Sequence, residues 1–329
     1  MNCSSSSLKN VSYTPQIVDS VKFTTAFVNN LIVVLVWLSL TCINSSVIAT
    51  FFKNRVFYEN PRYILFIHMV INDAIQLTIS VILFLLSYIV YTINVSLCCI
   101  FILLGIFTTR ITPLSLASMA LERYVAICKP LRHPQICTVR HTYILLGFIW
   151  FICVGTDICD IFVTMATESL SFFYSNVFCV RLNVFKDPIL TYKRQVIDII
   201  HFSCVFLTLA YTYLQIMFAA RAASSEQKSA QRARNTILIH GGQLLLCMLS
   251  YISSSVEMLL LIIFPANARE IRMANYIVIF IFPRYLSPLI YGVRDKTFRK
   301  YLKSYFVCDQ HKVGLRRVNH SRGQKINVF

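Results

Sequence analysis

Charge is scarce in this chain: Asp, Glu, Lys and Arg make up 14% of 329 residues, while apolar residues make up 57%. Soluble domains carry roughly 25% charged residues, so a water-soluble globular protein is excluded and a chain that crosses a membrane several times takes its place. Acid is scarcer than base, 14 residues against 31, for a net charge of +17. The basic excess sits between apolar runs with no DNA- or RNA-binding motif beside it, so it reads as membrane topology and not as a nucleic-acid partner. Also missing are HExxH, GxSxG, a phosphate-binding Gly loop and His/Cys clusters at metal-ligand spacing. The chain is therefore read as not an enzyme and as holding no metal centre. Most of the 12 cysteines fall within apolar runs, where a thiol behaves as a small hydrophobe.

What is present is a series of seven apolar segments, at 26–52, 61–86, 97–121, 142–166, 195–219, 236–264 and 273–292. Each is long enough to span a bilayer as a helix at ~1.5 Å per residue. The expected fold is all-α, a seven-transmembrane helix bundle over 26–292, flanked by an extracellular N-terminus (1–25) and a cytoplasmic helix and basic tail (293–329). Lys and Arg outside the spans number 21 on the side of the C-terminus and eight on the other, which places the N-terminus outside and the tail in the cytoplasm. Asn2 and Asn10 begin Asn-X-Ser glycosylation patterns, consistent with an outside N-terminus; Asn94 begins a third. No basic n-region with a cleavage site precedes the first span, which is expected to act as its own insertion signal. On the outside, Cys98 or Cys99 opens the third span and Cys179 lies in the loop between spans four and five, so a bridge would staple that loop over the bundle.

The third span ends in MALERYVAICKPLRHP (119–134), where an apolar run meets Glu122, Arg123 and Tyr124 and then a basic turn. An acid and a base side by side at a membrane interface can neutralise each other or be separated and offered to a partner. This stretch resembles the E/DRY region and second intracellular loop of rhodopsin-like G-protein-coupled receptors, in the wording of olfactory receptors. Ser287-Pro288-Leu289-Ile290-Tyr291 is similar to the family's N/DPxxY element with Ser in the first position, and PRYLSPLIYGVRDKTFRKYL and ARNTILIHGGQLLLCML are similar to odorant receptors of the fish type. Pro288 permits a kink that lets Tyr291 swing between packings.

The resemblance implies a set of roles. Cys98 is the family's bridging cysteine, paired with Cys179. Asn44 and Asp73 hold a polar core that in the family surrounds a sodium ion; helix-to-helix hydrogen bonding is the alternative. Tyr213 joins Arg123 and Tyr291 in the rearrangement of activation, and span six, beginning near Arg232 and Arg234, moves outward to admit a heterotrimeric G protein of the stimulatory olfactory type. Asp295 to Tyr305 reads as a basic amphipathic helix on the membrane surface, with Cys308 a candidate for palmitoylation. The expected partners are a small-molecule odorant, the G protein and membrane lipid at the plasma membrane.

Ionisable groups in the outer half of the spans speak to the ligand. Asp157 and Asp160 share a face of span four, and Asp198 and His201 share one of span five. One reading has Arg110 bind an anionic or hydrogen-bond-accepting ligand with Asp198 and His201 as polar partners; the favoured alternative is an internal ion pair between Arg110 and an aspartate. Tyr251 and Ser255, four apart on span six, can line the same cavity, and by position in the family Ile106 and Thr109 join them. An amine receptor would need an aspartate near Gly105 and a retinal protein a lysine within 273–292, and neither is present. The remaining alternatives are another small-ligand receptor of the family and, with no visible repeat between halves, a transporter.

Overall fold

The computed structural model describes residues 15–90, 92–222, 256–257, 259–264, 267–282, 284–285 and 297–304. In chain order the elements are α1 (Pro15–Lys53), a 3-10 turn (Arg55–Phe57), α2 (Pro61–Ile89), β1 (Ile93–Asn94), α3 (Val95–Cys128), α4 (His133–Ile136) and α5 (Val139–Thr167). There follow α6 (Leu170–Tyr174), β2 (Asn176–Val177), α7 (Arg181–Val184), α8 (Pro188–Ala222), α9 (Ala268–Asn275) and a π-helical stretch, Tyr276–Ile281. Among the described residues, five helices are long and apolar enough to cross a membrane: Asn30–Lys53, Pro61–Leu86, Val95–Cys128, Val139–Thr167 and Pro188–Ala219. They coincide with the first five expected spans. Of the other two, 259–263 and 273–282 are helical, and residues 297–304 form a helix within the expected membrane-surface segment.

Local chemistry explains where the helices begin. Asn60 accepts a hydrogen bond from the Arg62 backbone N–H at 3.1 Å, and Pro61 stands first in α2, where its missing N–H costs nothing. Thr138 caps α5 by accepting from the His141 N–H at 3.2 Å. Asn94 caps α3 through the Ser96 N–H at 2.9 Å, so the third glycosylation pattern is occupied by a capping role. Several ends lie beyond the apolar runs. Helix α1 starts at Pro15, α3 continues to Cys128, and α8 starts at Pro188, because a helix continues past the point where its residues cease to be apolar. Glu122, Arg123 and Tyr124 are consequently well inside α3, and Lys193 and Arg194 are helical instead of lying in a loop.

The bundle keeps its polar side chains inside, among an apolar core, and turns other large apolar side chains outward. Asn44, Asn72, Asp73, Gln76, Arg110, Asp157 and Asp160 are buried, whereas Phe151, Phe162 and Ile199 face outward. This is the arrangement lipid demands, since an unpaired polar group in hydrocarbon costs several kcal/mol, of order 2–7. At one end the chain between α5 and α8 is strapped onto the start of α3. Strand β1 pairs antiparallel with β2, Ile93 opposite Val177; the Val95 N–H donates to the Ser175 carbonyl; and Cys98 is bonded to Cys179 with 5.6 Å between Cα atoms. At the other end Phe51, Phe57, Tyr63 and Phe66 form an aromatic cluster that receives Phe298 and Tyr301 of helix 297–304. Phe298 is fully buried, and this one side chain anchors the last described helix to the loop between α1 and α2.

Candidate functional site

Helix α3 carries both candidate sites, Arg110 toward the disulfide end and Arg123 toward the other, ~20 Å apart along a straight helix. Arg110 is 3% exposed and ties three helices together. Its Nη1 donates to Asp157 Oδ1 at 3.0 Å and to Thr156 Oγ1 at 2.9 Å on α5, and its Nη2 to Asp198 Oδ1 at 3.4 Å on α8. Arg110 is thus paired internally, with two aspartates. The other oxygen of Asp198 accepts from Arg194 Nε at 3.3 Å, one helical turn away.

A second knot lies alongside. Asp160, 1% exposed, is held by Lys193 Nζ from α8 and by Arg181 Nη2 from α7 at 3.5 Å, while Lys193 also donates to the Thr156 carbonyl at 2.7 Å. Burial depresses the pKa of Arg181 from its ordinary value and the charge of Arg194 adds to this, with Asp160 pulling the other way. A guanidinium begins so far above neutrality that Arg181 stays charged at neutral pH. The two knots bring together Arg110, Arg181, Lys193 and Arg194 against Asp157, Asp160 and Asp198, leaving one positive charge in excess. Several buried atoms in this region have no hydrogen-bond partner among the described residues: Arg110 Nε, Arg181 Nε, Asp157 Oδ2 and His201 Nδ1.

The remaining ligand candidates divide. Thr109 is exposed although it lies on α3 against α2, where its hydroxyl accepts from Gln76 Nε2 at 2.5 Å and donates to the Gly105 carbonyl at 2.7 Å. Ile106 is partly buried against the cluster that includes Ile102, Cys98 and Phe185. Tyr251 and Ser255 lie outside the described residues. Sequence reasoning did not find Gln76, nor Asn275, which donates its side-chain amide to Glu257. A polar residue one turn beyond Asp73 on the same face of α2 was the available signal for Gln76.

In the polar core, Asp73 Oδ1 accepts from Thr112 Oγ1 at 2.9 Å, and Asn72 Nδ2 donates to the Thr108 carbonyl at 2.8 Å and to Thr112 at 2.9 Å. Asn44 is buried at 3% exposure, and the buried Arg284 acts electrostatically on Asp73. Nearby, His68 joins three helices: Trp150 Nε1 donates to its Nε2 at 2.8 Å, and its Nδ1 lies 3.2 Å from the Ser115 hydroxyl.

At the opposite end Glu122 is shared. Its Oε1 lies 3.0 Å from His133 Nε2, and its Oε2 lies 3.9 Å from Arg123 Nε, too far for a hydrogen bond. Arg123 Nε and Nη2 are buried without a hydrogen-bond partner among the described residues. Tyr124 meets Tyr211 of α8, hydroxyl to hydroxyl at 3.3 Å, whereas Tyr213 is 38% exposed and points elsewhere. Pro288, Tyr291, Arg232, Arg234 and Cys308 lie outside the described residues, as do Asn2 and Asn10.

A family described as "7 transmembrane receptor (rhodopsin family)" matches residues 43–291. Odorant receptor 131-2 of Danio rerio is 32% identical over 277 residues, covering 82% of this chain and 85% of that protein. Olfactory receptor 11G2 of Homo sapiens is 28% identical over 199 residues, 58% of this chain and 55% of its own length. Melanocortin receptor 3 of Mus musculus is 25% identical over 205 residues, 61% of this chain and 59% of its own length.

Proposed function

Because the chain belongs to the rhodopsin family of seven-transmembrane receptors, a class of multi-pass membrane proteins that signal through G proteins and are not enzymes, we propose that it is an odorant receptor. The similarity to Odorant receptor 131-2 over most of both chains supports the sensory reading. In this reading the N-terminus is extracellular and the tail cytoplasmic at the plasma membrane, the disulfide lies on the oxidising side, and Arg123 faces the G protein.

The ligand enters the outer half of the bundle between α3, α8 and span six. Thr109 and Ile106 of α3 and Tyr251 and Ser255 of span six line the site. Arg110 acts chiefly as a brace, since both of its Nη groups are held by aspartates. His201, whose Nδ1 has no partner among the described residues, and the positive excess around Asp198 favour a ligand with a hydrogen-bond-accepting or anionic group. At Asp73 the buried guanidinium of Arg284 acts electrostatically on the carboxylate, and replacing sodium by choline in a ligand-binding assay tests whether a sodium ion shares the polar core with it. A ligand that binds the active arrangement better than the resting one shifts the population toward it, and no covalent step is needed.

The observation that carries this reading is the contrast on α3 itself, with Arg110 fixed by three partners and Arg123 held by none at hydrogen-bonding distance among the described residues. The test is cAMP output from cells expressing the chain, screened against pooled water-soluble and volatile odorants with and without a stimulatory olfactory-type Gα subunit. A ligand-dependent rise that requires the Gα subunit supports the proposal. Ligand-driven current or uptake that persists without any G protein overturns it in favour of transport.

A further inference from the structure

Outside the bundle interior, between α3 and α5 beneath the strapped loop, lies a second cavity of about 540 Å³. Its walls include Ile100 and Leu103 of α3, Ile161 and Met165 of α5, and Phe185 after α7. That volume falls in the range of roughly 300–1,000 Å³ typical of small-molecule sites. Ile100, Ile161 and Met165 are themselves exposed, so the cavity opens sideways onto the lipid face of the bundle.

Its polar groups are mostly spent elsewhere. The Ser96 hydroxyl donates to the Phe173 carbonyl at 2.9 Å, and the Thr164 hydroxyl to the Asp160 carbonyl at 2.8 Å. One charged side chain remains on the lining, Glu168, which stands at the end of α5 where the helix meets the loop. Its nearest cation is Lys186, with Oε1 to Nζ 3.8 Å, an ion-pair distance without a hydrogen bond. The Lys186 ammonium is instead 4.0 Å from the centre of the Phe172 ring, and its side chain is half exposed. An apolar chamber open to lipid therefore ends in a carboxylate whose only cation among the described residues is loosely held.

We propose that this chamber is a second ligand site, distinct from the interior one, and that it takes a single-chain lipophilic amine, whose alkyl chain fills the groove while its ammonium donates to Glu168 in place of Lys186. The chain reaches the site from the outer leaflet, into which such amines partition head-up. Apolar burial supplies most of the affinity and the carboxylate sets the choice of headgroup, because an alcohol of equal length offers Glu168 a neutral hydrogen bond without the ammonium's charge. Lys186 is a built-in competitor. Its removal strengthens binding, whereas removal of Glu168 weakens it.

The test uses the full-length receptor in phosphatidylcholine nanodiscs and a diazirine-bearing dodecylamine, with crosslinked residues mapped by mass spectrometry. Saturable labelling of residues on α3 and α5 around Leu103 and Met165 is expected, displaced by dodecylamine and not by dodecanol at the same concentration. Glu168→Gln is expected to reduce that labelling by roughly fivefold and Lys186→Ala to raise it by a similar factor. Both variants change half-buried or exposed side chains at the loop boundary, and the opposite signs separate recognition from a general loss of fold. Labelling that is spread over all lipid-facing helices, that dodecanol displaces equally, or that ignores Glu168→Gln overturns the proposal. The readout is binding alone, so a failed odorant screen leaves it intact.

Discussion

The two ends of α3 carry the same kind of side chain in opposite states. At the disulfide end Arg110 is enclosed by Asp157, Asp198 and Thr156, flanked by the knot of Asp160, Lys193 and Arg181, and covered by a loop bonded through Cys98–Cys179. At the other end Arg123 has one acid at 3.9 Å, and that acid is shared with His133. Buried ion pairs add little net stability but are costly to break from one side, because the partner left behind is a bare charge in a low dielectric. The first end therefore holds α3, α5 and α8 in one register, while the second can change partners at small cost. A receptor needs both properties, a fixed frame to read a ligand against and a loose contact to report it.

The largest effect is expected from breaking the fixed end. Arg110→Ala leaves Asp157 and Asp198 without their shared cation and should cost about 3–5 kcal/mol, seen as a collapse of surface expression measured with an N-terminal epitope. Next comes the staple: Cys179→Ser opens an 81-residue separation and should cost about 2–4 kcal/mol, read as a lowered midpoint of thermal inactivation in detergent. Trp150→Phe removes the indole donor to His68 and should cost about 1 kcal/mol by the same assay, with surface expression largely kept. The smallest change in stability and the clearest change in signalling belong to His133→Ala. Releasing Glu122 to pair fully with Arg123 should lower basal cAMP per surface receptor by a few-fold, corresponding to under about 1 kcal/mol. A rise in basal output would mean that His133 restrains the switch instead of loosening it.

How far the sequence reaches is clear from particular residues. The first five spans were legible because lipid forces long apolar runs, and Cys98 over Cys99 was legible from the family's spacing. Helix ends were not: α3 runs on through Glu122 to Cys128 since hydrogen bonding within the helix continues where burial in lipid stops. An aspartate partner for Arg110 was legible, since Asp157, Asp160 and Asp198 are the acids of spans four and five, but which of the three it meets was not. Lys193 and Arg181 could not be assigned to Asp160, because one was expected in a loop and the other is placed by how the loop folds back. Tyr211 of α8 meets Tyr124, a contact that the sequence did not single out; two residues turn a helix by about 200°, so Tyr213 stands on another side of α8. His133 against Glu122 depends on the turn at Lys129 and Pro130, which no periodicity reports.

The contrast between the two arginines is tested most directly by measuring ligand binding and cAMP together, per surface receptor, for the wild type, Arg110→Ala and Arg123→Ala. A frame at Arg110 and a switch at Arg123 predict that Arg110→Ala fails to reach the surface, while Arg123→Ala reaches it, binds ligand and gives no cAMP rise. An Arg110→Ala receptor that is expressed and responsive, with an Arg123→Ala receptor that still signals, would contradict the assignment of both ends.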